Sequence, residues 1–268
     1  RRVLFRSQIN LSQLNGFLYR GGELNISLDK INLSLSEIQI MDIRNNIFDE
    51  LVYLKRLIFK GLLRLEKVLG SPFNARPDKL EMLEIASSCG LITPVTTILT
   101  KPNQIAKNEL NRYITKPFTD NVIYRHENKR YATYTSILSD VINDETEEFF
   151  PSLIQERIEV LYELRVFFLE DQLFPARLIF HRDTIDYRKE QSGFCNAQPY
   201  TFNIEEEIKI LKFIEKSGFK TGSIDLIRDK NNKLFFLEIN PNGAYEWISS
   251  ECNYNISLII AEYFNYEN

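Results

Sequence analysis

The apolar positions of this chain change period several times, and those changes outline its elements. Leu51, Leu54, Ile58, Leu62, Leu65 and Leu69 recur at threes and fours, which predicts an amphipathic helix over Phe48–Val68. Gly70-Ser71-Pro72 stops it. A second helix is predicted from Lys79, with Pro77 near its first turn, Asp78 supplying early negative charge and Cys89-Gly90 at its end. From Leu91 the texture becomes β. Ile92–Leu99, Arg112–Pro117, Val122–His126, Lys129–Thr135 and Leu153–Ile158 are strand candidates separated by Asn, Asp and Lys clusters. Glu163–Leu169 and Leu173–Phe180 read as a hairpin around Glu170-Asp171-Gln172. Ile204–Ser217 is helical and closed by Gly218. Gly222–Arg228 and Lys233–Asn240 flank the polar turn Asp229-Lys230-Asn231-Asn232, and a helix over Ile256–Phe264 ends the pattern. Residues 1–45, with Asn15-Gly16 and Gly21-Gly22, read as short strands and turns. The sum is an α+β (mixed α/β) chain with many antiparallel hairpins, not a doubly wound parallel sheet.

Composition narrows the function classes. The 268 residues are 44% hydrophobic and 26% charged, which fits a soluble globular chain. A net charge of −4 argues against coating nucleic acid, and no basic stripe interleaves with the tyrosines. No apolar run is long enough to cross a bilayer, and no signal segment is visible. Cys89, Cys195 and Cys252 are scattered and odd in number, so they read as buried or half-buried free thiols in a reducing, cytoplasmic setting. His126 and His181 read as loop or strand residues. Trp247, Phe149, Phe150, Phe167 and Phe168 read as core. The opening Arg1-Arg2-Val3-Leu4-Phe5 lacks a Met, so an opening strand is expected before it.

The sharpest chemistry lies near the C-terminus. In Leu234–Asn240 a nearly continuous apolar strand acquires two oxygen donors, Glu238 and Asn240, which period two places on one face. Asp225 stands alone in the apolar run before it. If the two strands pair through the 229–232 turn, Asp225 lies beside Glu238, and three hard oxygen ligands suit Mg²⁺ shared with phosphate. The same pattern also fits a strand-edge acid and the start of the turn Asn240-Pro241-Asn242-Gly243. Upstream, Leu153–Ile158 could offer backbone groups to an adenine edge and Glu163 could take ribose hydroxyls; a solvated acidic connector fits equally. Lys79, Lys116, Arg165, Arg177 and Arg188 are candidate phosphate partners. Arg165 and Arg177, flanked by apolar strand residues, are the least easily read as surface charge.

These segments, in this order, resemble the ATP-grasp fold: Pro77-Asp78-Lys79-Leu80, Gly90-Leu91-Ile92-Thr93-Pro94, Ile114-Thr115-Lys116-Pro117, Gln155-Glu156-Arg157-Ile158, Glu163-Leu164-Arg165-Val166, Ser223-Ile224-Asp225-Leu226 and Leu237-Glu238-Ile239-Asn240. Asp186-Tyr187-Arg188 is similar to an element shared with the ribosomal-protein glutamate ligases. Tyr19-Arg20-Gly21-Gly22, Asn240–Trp247 and Ser250-Glu251-Cys252-Asn253-Tyr254 resemble the ATP-grasp peptide maturases that make graspetides, the microviridin-type and grasp-with-spasm ligases. The resemblance covers roughly residues 16–268. One departure is the loop Phe118-Thr119-Asp120-Asn121, which lacks the usual glycines of a phosphate-covering lid.

The resemblance implies three parts: an N-terminal pre-ATP-grasp domain, apparently incomplete, over 1–75; a small lobe with a lid over 76–154; and a C-terminal lobe over 155–268. It implies ATP bound by Lys79, Lys116, Gln155, Glu156, Ile158 and Glu163, and Mg²⁺ held by Asp225, Glu238 and Asn240. Arg165 and Arg177 would face the phosphates, and Asp186 with Arg188 would orient the peptide. The implied activity joins Asp or Glu carboxylates of a ribosomal precursor peptide, with leader and core, to Thr, Ser or Lys side chains. A homodimer and a radical-SAM/SPASM partner are implied by family association, with no membrane or nucleic-acid partner. Two alternatives stand beside it: an ATP-grasp ligase adding an amino acid to a protein tail or small molecule, and a non-catalytic nucleotide-binding partner module.

Overall fold

The computed structural model describes residues 10, 13–22, 37–118, 123–126, 129–132, 135–143, 146–179 and 196–265. By contacts the chain divides into Arg1–Ala75 with Leu258–Asn268, and Arg76–Ser257.

In the first unit, β1 (Gly16–Leu18) pairs in parallel with β2 (Lys67–Leu69), and α1 spans Glu37–Leu62. The rings of Phe17, Tyr19 and Phe59 pack together at centroid distances of 5.8–6.4 Å. The helix begins earlier than the period predicts: residues 37–45, expected as strands and turns, are helical. No Gly or Pro interrupts Glu37–Lys60, so nothing local opposes the helix there. Its expected tail is instead β2, where pairing with β1 overrides the helical spacing of Leu65 and Leu69.

The second unit carries the chemistry-bearing segments. Helix α2 (Lys79–Ser88) starts where predicted because the Asp78 side chain accepts from the backbone N–H of Leu80 and Glu81, at 2.8 and 3.1 Å. A four-stranded antiparallel sheet has the order β3-β8-β4-β7, formed by β3 (Thr96–Leu99), β4 (Tyr113–Lys116), β7 (Ser136–Ile137) and β8 (Ser152–Glu156). One face covers a small core of Leu99, Leu110, Leu138 and Ile154, to which short α3 (Leu138–Val141) contributes. Strands β5 (Ile123–His126) and β6 (Lys129–Ala132) pair separately, in the segment expected as a lid.

The five-stranded antiparallel sheet has the order β11-β10-β9-β12-β13, with β9 (Val160–Leu169), β10 (Gln172–Ile179), β11 (Asn196–Pro199), β12 (Thr221–Asp229) and β13 (Leu234–Asn240). One face carries Leu164, Val166, Phe168, Ile224, Leu226, Phe236 and Ile239 against α2 and α4 (Ile204–Ser217). Phe213 and Phe236 are fully buried with ring centroids 4.6 Å apart, and truncating either to Ala removes about 3–5 kcal/mol. The predicted end of α4 is present: Gly218 takes φ +73°, a left-handed cap that other residues adopt at a cost. The other face carries Phe167, packed 4.7 Å from Tyr245 just before α5 (Glu246–Cys252). Burial on both faces explains the apolar run Val166–Leu169 at the end of β9. Phe167 and Phe168 are core as expected, whereas Phe150 is 84% exposed. Cys89 and Cys252 are buried free thiols; Cys195 and His181 lie outside the described residues.

Candidate active site

The pairing of β9, β12 and β13 assembles the site. Asp225 lies opposite Glu238 on one side and Arg165 on the other, and Ser223 lies opposite Asn240 and Phe167. Residues directly opposite in a ladder share a face. Arg165, Asp225, Glu238, Ser223 and Asn240 therefore form one patch, with Glu163 two positions along β9. The hairpin turn is fixed by Asp229, whose Oδ1 accepts from the N–H of Asn231 (3.0 Å) and Lys233 (2.6 Å), with Asn232 left-handed at φ +63°.

A bulge makes the patch possible. Pairing slips by one between Asp225 and Leu226, so Leu237 is the extra residue of β13. Strict alternation would put Phe236 on the face of Glu238. The slip sends Phe236 into the core beside Phe213 and keeps Glu238 with Asp225. Period two had given the correct relation of Glu238 to Asn240, but not this change.

The acids are held by cations. Arg165 Nη1 donates to both Asp225 carboxylate oxygens, at 2.8 and 3.0 Å, from a side chain only 11% exposed. Lys79 Nζ lies 3.8 Å from Glu238 Oε2 and donates to the Pro117 carbonyl at 3.0 Å. The start of α2, the end of β4 and the β12–β13 hairpin thus meet at one lysine. At the exit of β13, Asn240 Oδ1 accepts from Asn242 N–H (3.0 Å), and its carbonyl accepts from Gly243 N–H (3.0 Å).

Lys116 and Gln155 share a face of the four-stranded sheet, through the register Ile114–Gln155 and Lys116–Leu153. Gln155 is 1% exposed and its Nε2 donates to Thr96 Oγ1 at 3.0 Å. Glu156 points to the opposite face, so a ligand beside Gln155 meets Glu156 through its backbone. Ile158 is half-buried in the connector before β9.

Arg177 departs from expectation. It pairs with Leu164, a residue of the α2–α4 face, and its guanidinium carbon sits 4.2 Å from the Tyr162 ring centroid. Alternation on β10 places Ala176, not Arg177, beside Arg165. Two strand arginines twelve positions apart look alike in sequence, and only the hairpin register separates their faces. Asp186 and Arg188 lie outside the described residues. Ser223 and Gly243, which sequence reasoning passed over, belong to the patch.

The donor set can be tested against a metal. Among the described residues there is no group of three or more His, Cys, Asp and Glu able to hold one. Asp225, Glu238 and Asn240 instead offer two carboxylates and an amide oxygen. An all-oxygen set of this size suits a hard cation that completes its shell with water and phosphate.

Neither a protein-family model nor a curated protein matches this chain. Among solved structures it is similar to macrocyclase MdnC bound with precursor peptide MdnA from Microcystis aeruginosa MRC: TM-score 0.70, 25% identity, covering 95% of this chain and 78% of that one. A Chryseobacterium gregarium RiPP-associated ATP-grasp ligase, in complex with ADP and a leader and core peptide, aligns with TM-score 0.68 and 20% identity, over 93% of this chain and 75% of that one. Macrocyclase MdnB from Microcystis aeruginosa MRC aligns with TM-score 0.67 and 21% identity, over 97% and 80%. The chain has the ATP-grasp fold in the form these structures share, and it resembles the peptide-modifying ATP-grasp enzymes among them.

Proposed function

We propose that this enzyme uses ATP to activate Asp or Glu side-chain carboxylates of a ribosomally made precursor peptide and closes them onto Thr, Ser or Lys side chains. The patch of two acids and an amide beside Arg165 and Lys79 carries this reading, because it sets hard oxygen donors and fixed cations where phosphate charge has to be neutralised. Asp225, Glu238 and Asn240 would hold Mg²⁺, which supplies charge neutralisation to phosphate oxygens when bound. Lys79 and Lys116 bind the ATP phosphates; Gln155 and the backbone of Glu156 and Ile158 border the adenine; Glu163 takes the ribose.

Joining a carboxylate to a hydroxyl or amine in water is not driven forward by itself. The peptide carboxylate therefore attacks the γ-phosphorus of ATP, giving an acyl phosphate and ADP. The peptide's own hydroxyl or amine then displaces phosphate and loses its proton, so each link removes one water overall. Arg165, anchored on Asp225, is fixed before reaction and needs no reorganisation to meet developing charge. Asp186 and Arg188 are assigned to orienting the peptide. Arg177 faces the other side of the sheet and has no part in this proposal. A homodimer, a SPASM-protein partner and a cytoplasmic location complete the reading; among the described residues no helix is long and apolar enough to cross a membrane.

Mass spectrometry of a short peptide bearing Thr, Ser or Lys and Asp or Glu, incubated with enzyme, ATP and Mg²⁺, tests this. Loss of one water per link supports macrocyclisation, and a mass gain points to addition of a free amino acid. Lys116→Ala or Glu238→Ala enzyme that closes rings at the wild-type rate refutes the assignment.

A further inference from the structure

The turn after β13 has a feature that the site's chemistry leaves unexplained. Gly243 is buried, and its φ is not in the left-handed region, so backbone conformation does not require glycine there. Space does. A Cβ on Gly243 would stand 2.4 Å from Ser223 Oγ, 2.5 Å from Ser223 Cβ and 2.9 Å from Arg165 Nη2. Contacts below 3 Å force something to move, and here the neighbours are a fully buried serine and the guanidinium that grips Asp225.

The contacts close a ring. Ser223 stands in register with Asn240. Asn240 holds the turn through its side-chain oxygen on Asn242 N–H and its carbonyl on Gly243 N–H. Gly243 lies over Ser223 and Arg165, and Arg165 binds Asp225, two positions from Ser223. Among the described residues, Ser223 Oγ and Asn242 Oδ1 are both buried without a hydrogen-bond partner, so these two atoms contribute no bond that would hold the turn down. The turn can seat this close to the strand only because a residue without a Cβ meets a small one.

We propose that Gly243 is a positioning residue: its missing side chain lets the 240–243 turn seat on Ser223 and Arg165, which fixes Arg165 on Asp225 and aims Asp225 and Asn240 at the divalent ion. This rests on the function proposed above, since it assumes that the patch binds Mg²⁺ and nucleotide. An added methyl lifts the turn, and Asn240 with it, or pushes Arg165 off Asp225. Either movement shifts an oxygen donor relative to the phosphates.

Gly243→Ala is tested against wild type in two assays, thermal stabilisation by Mg²⁺ with ADP in the absence of peptide, and kcat and KM for ATP in peptide closure. The expected result is a loss of the Mg²⁺-dependent stabilisation together with a fall in kcat of about 100-fold, the size associated with ångström-scale misplacement of a catalytic group. Adding Ser223→Gly, which removes two of the three contacts, recovers at least about tenfold of that kcat loss and part of the Mg²⁺ response. A merely structural glycine would lower the melting temperature without changing the Mg²⁺ response. The double variant also serves if Gly243→Ala alone does not fold, because it is then expected to fold and to bind Mg²⁺ with ADP more weakly than wild type. The proposal is overturned if Gly243→Ala keeps both readouts within twofold, if Ser223→Gly recovers neither, or if wild-type protein shows no Mg²⁺-dependent response. Intact binding with no peptide closure in the wild type counts against the peptide reaction alone.

Discussion

Glu206→Ala isolates one buried charge pair on the face of the five-stranded sheet opposite the acids. Arg228 Nη1 and Nη2 donate to Glu206 Oε1 and Oε2 at 2.6 and 3.0 Å, from side chains 5% and 15% exposed. Two further bonds reach Tyr200 Oη at 2.9 Å and the Asn232 carbonyl at 3.1 Å. Truncation removes two of the four bonds and leaves a guanidinium buried without its counter-charge, which costs about 3–5 kcal/mol. For a unit of this size that lowers the melting temperature by on the order of 10 °C. The Glu206 hydrogen bonds raise the Arg228 pKa above its ordinary value against the opposing effect of burial. A raised folded-state pKa contributes stability below the unfolded-state pKa that is lost only above it. For arginine that window lies beyond the usual alkaline range, so the loss in Glu206→Ala should be flat between neutral and mildly alkaline pH. Urea and thermal unfolding followed by circular dichroism measure it, with Glu206→Leu/Arg228→Met as the paired replacement that recovers most of the loss. A change below about 1 kcal/mol, typical of solvent-screened surface pairs, would refute the reasoning.

Three further outcomes follow from geometry elsewhere. Burial, as the first cause, pushes the Tyr254 hydroxyl up to about 12, and that hydroxyl donates to the Pro175 carbonyl. The raised folded-state value stabilises below the ordinary pKa of about 10 and is lost as pH climbs through the folded one, so Tyr254→Phe should flatten stability between those limits in alkaline unfolding. Arg165→Ala should lower kcat for peptide closure by about 100- to 1000-fold, as removal of a preorganised charge partner does. Arg177→Ala, on the reverse face, should stay within about threefold of wild type in the same assay, the rate change that corresponds to about 0.7 kcal/mol. Equal losses in both would falsify the face assignment.

Much of the fold was legible because local signals agreed with the tertiary outcome. Asp78 before an apolar period gave the start of α2, Gly218 gave the end of α4, and apolar segments around polar turns gave β9, β10, β12 and β13 within a few positions. Failures came where long-range pairing decided. Leu65 and Leu69 carry a helical spacing, yet a parallel partner turns Lys67–Leu69 into β2. Residues 196–199 and 246–252 gave no usable signal, because short elements at a sheet edge and beside a turn take their form from what they pack against.

The candidate site shows the same division more sharply. The ordered motifs named the fold, and period two placed Glu238 with Asn240 correctly, because both inferences use separations of a few residues. Arg165 and Arg177 could not be sorted that way. Each lies in a strand among apolar neighbours, and a one-residue change in hairpin register would bring both onto the same face. The observed register pairs Gln172 with Leu169, which sets Ala176 beside Arg165 and Arg177 beside Leu164. One arginine then meets Asp225 and the other stacks on Tyr162. Leu237 makes the corresponding decision on β13, since its bulge lets consecutive two-step positions serve the core at Phe236 and the acid patch at Glu238. Composition fixes neither choice. Both come from burial: Phe236 has to reach the hydrophobic side at Phe213, and the acids are tolerable only where Arg165 and Lys79 can face them.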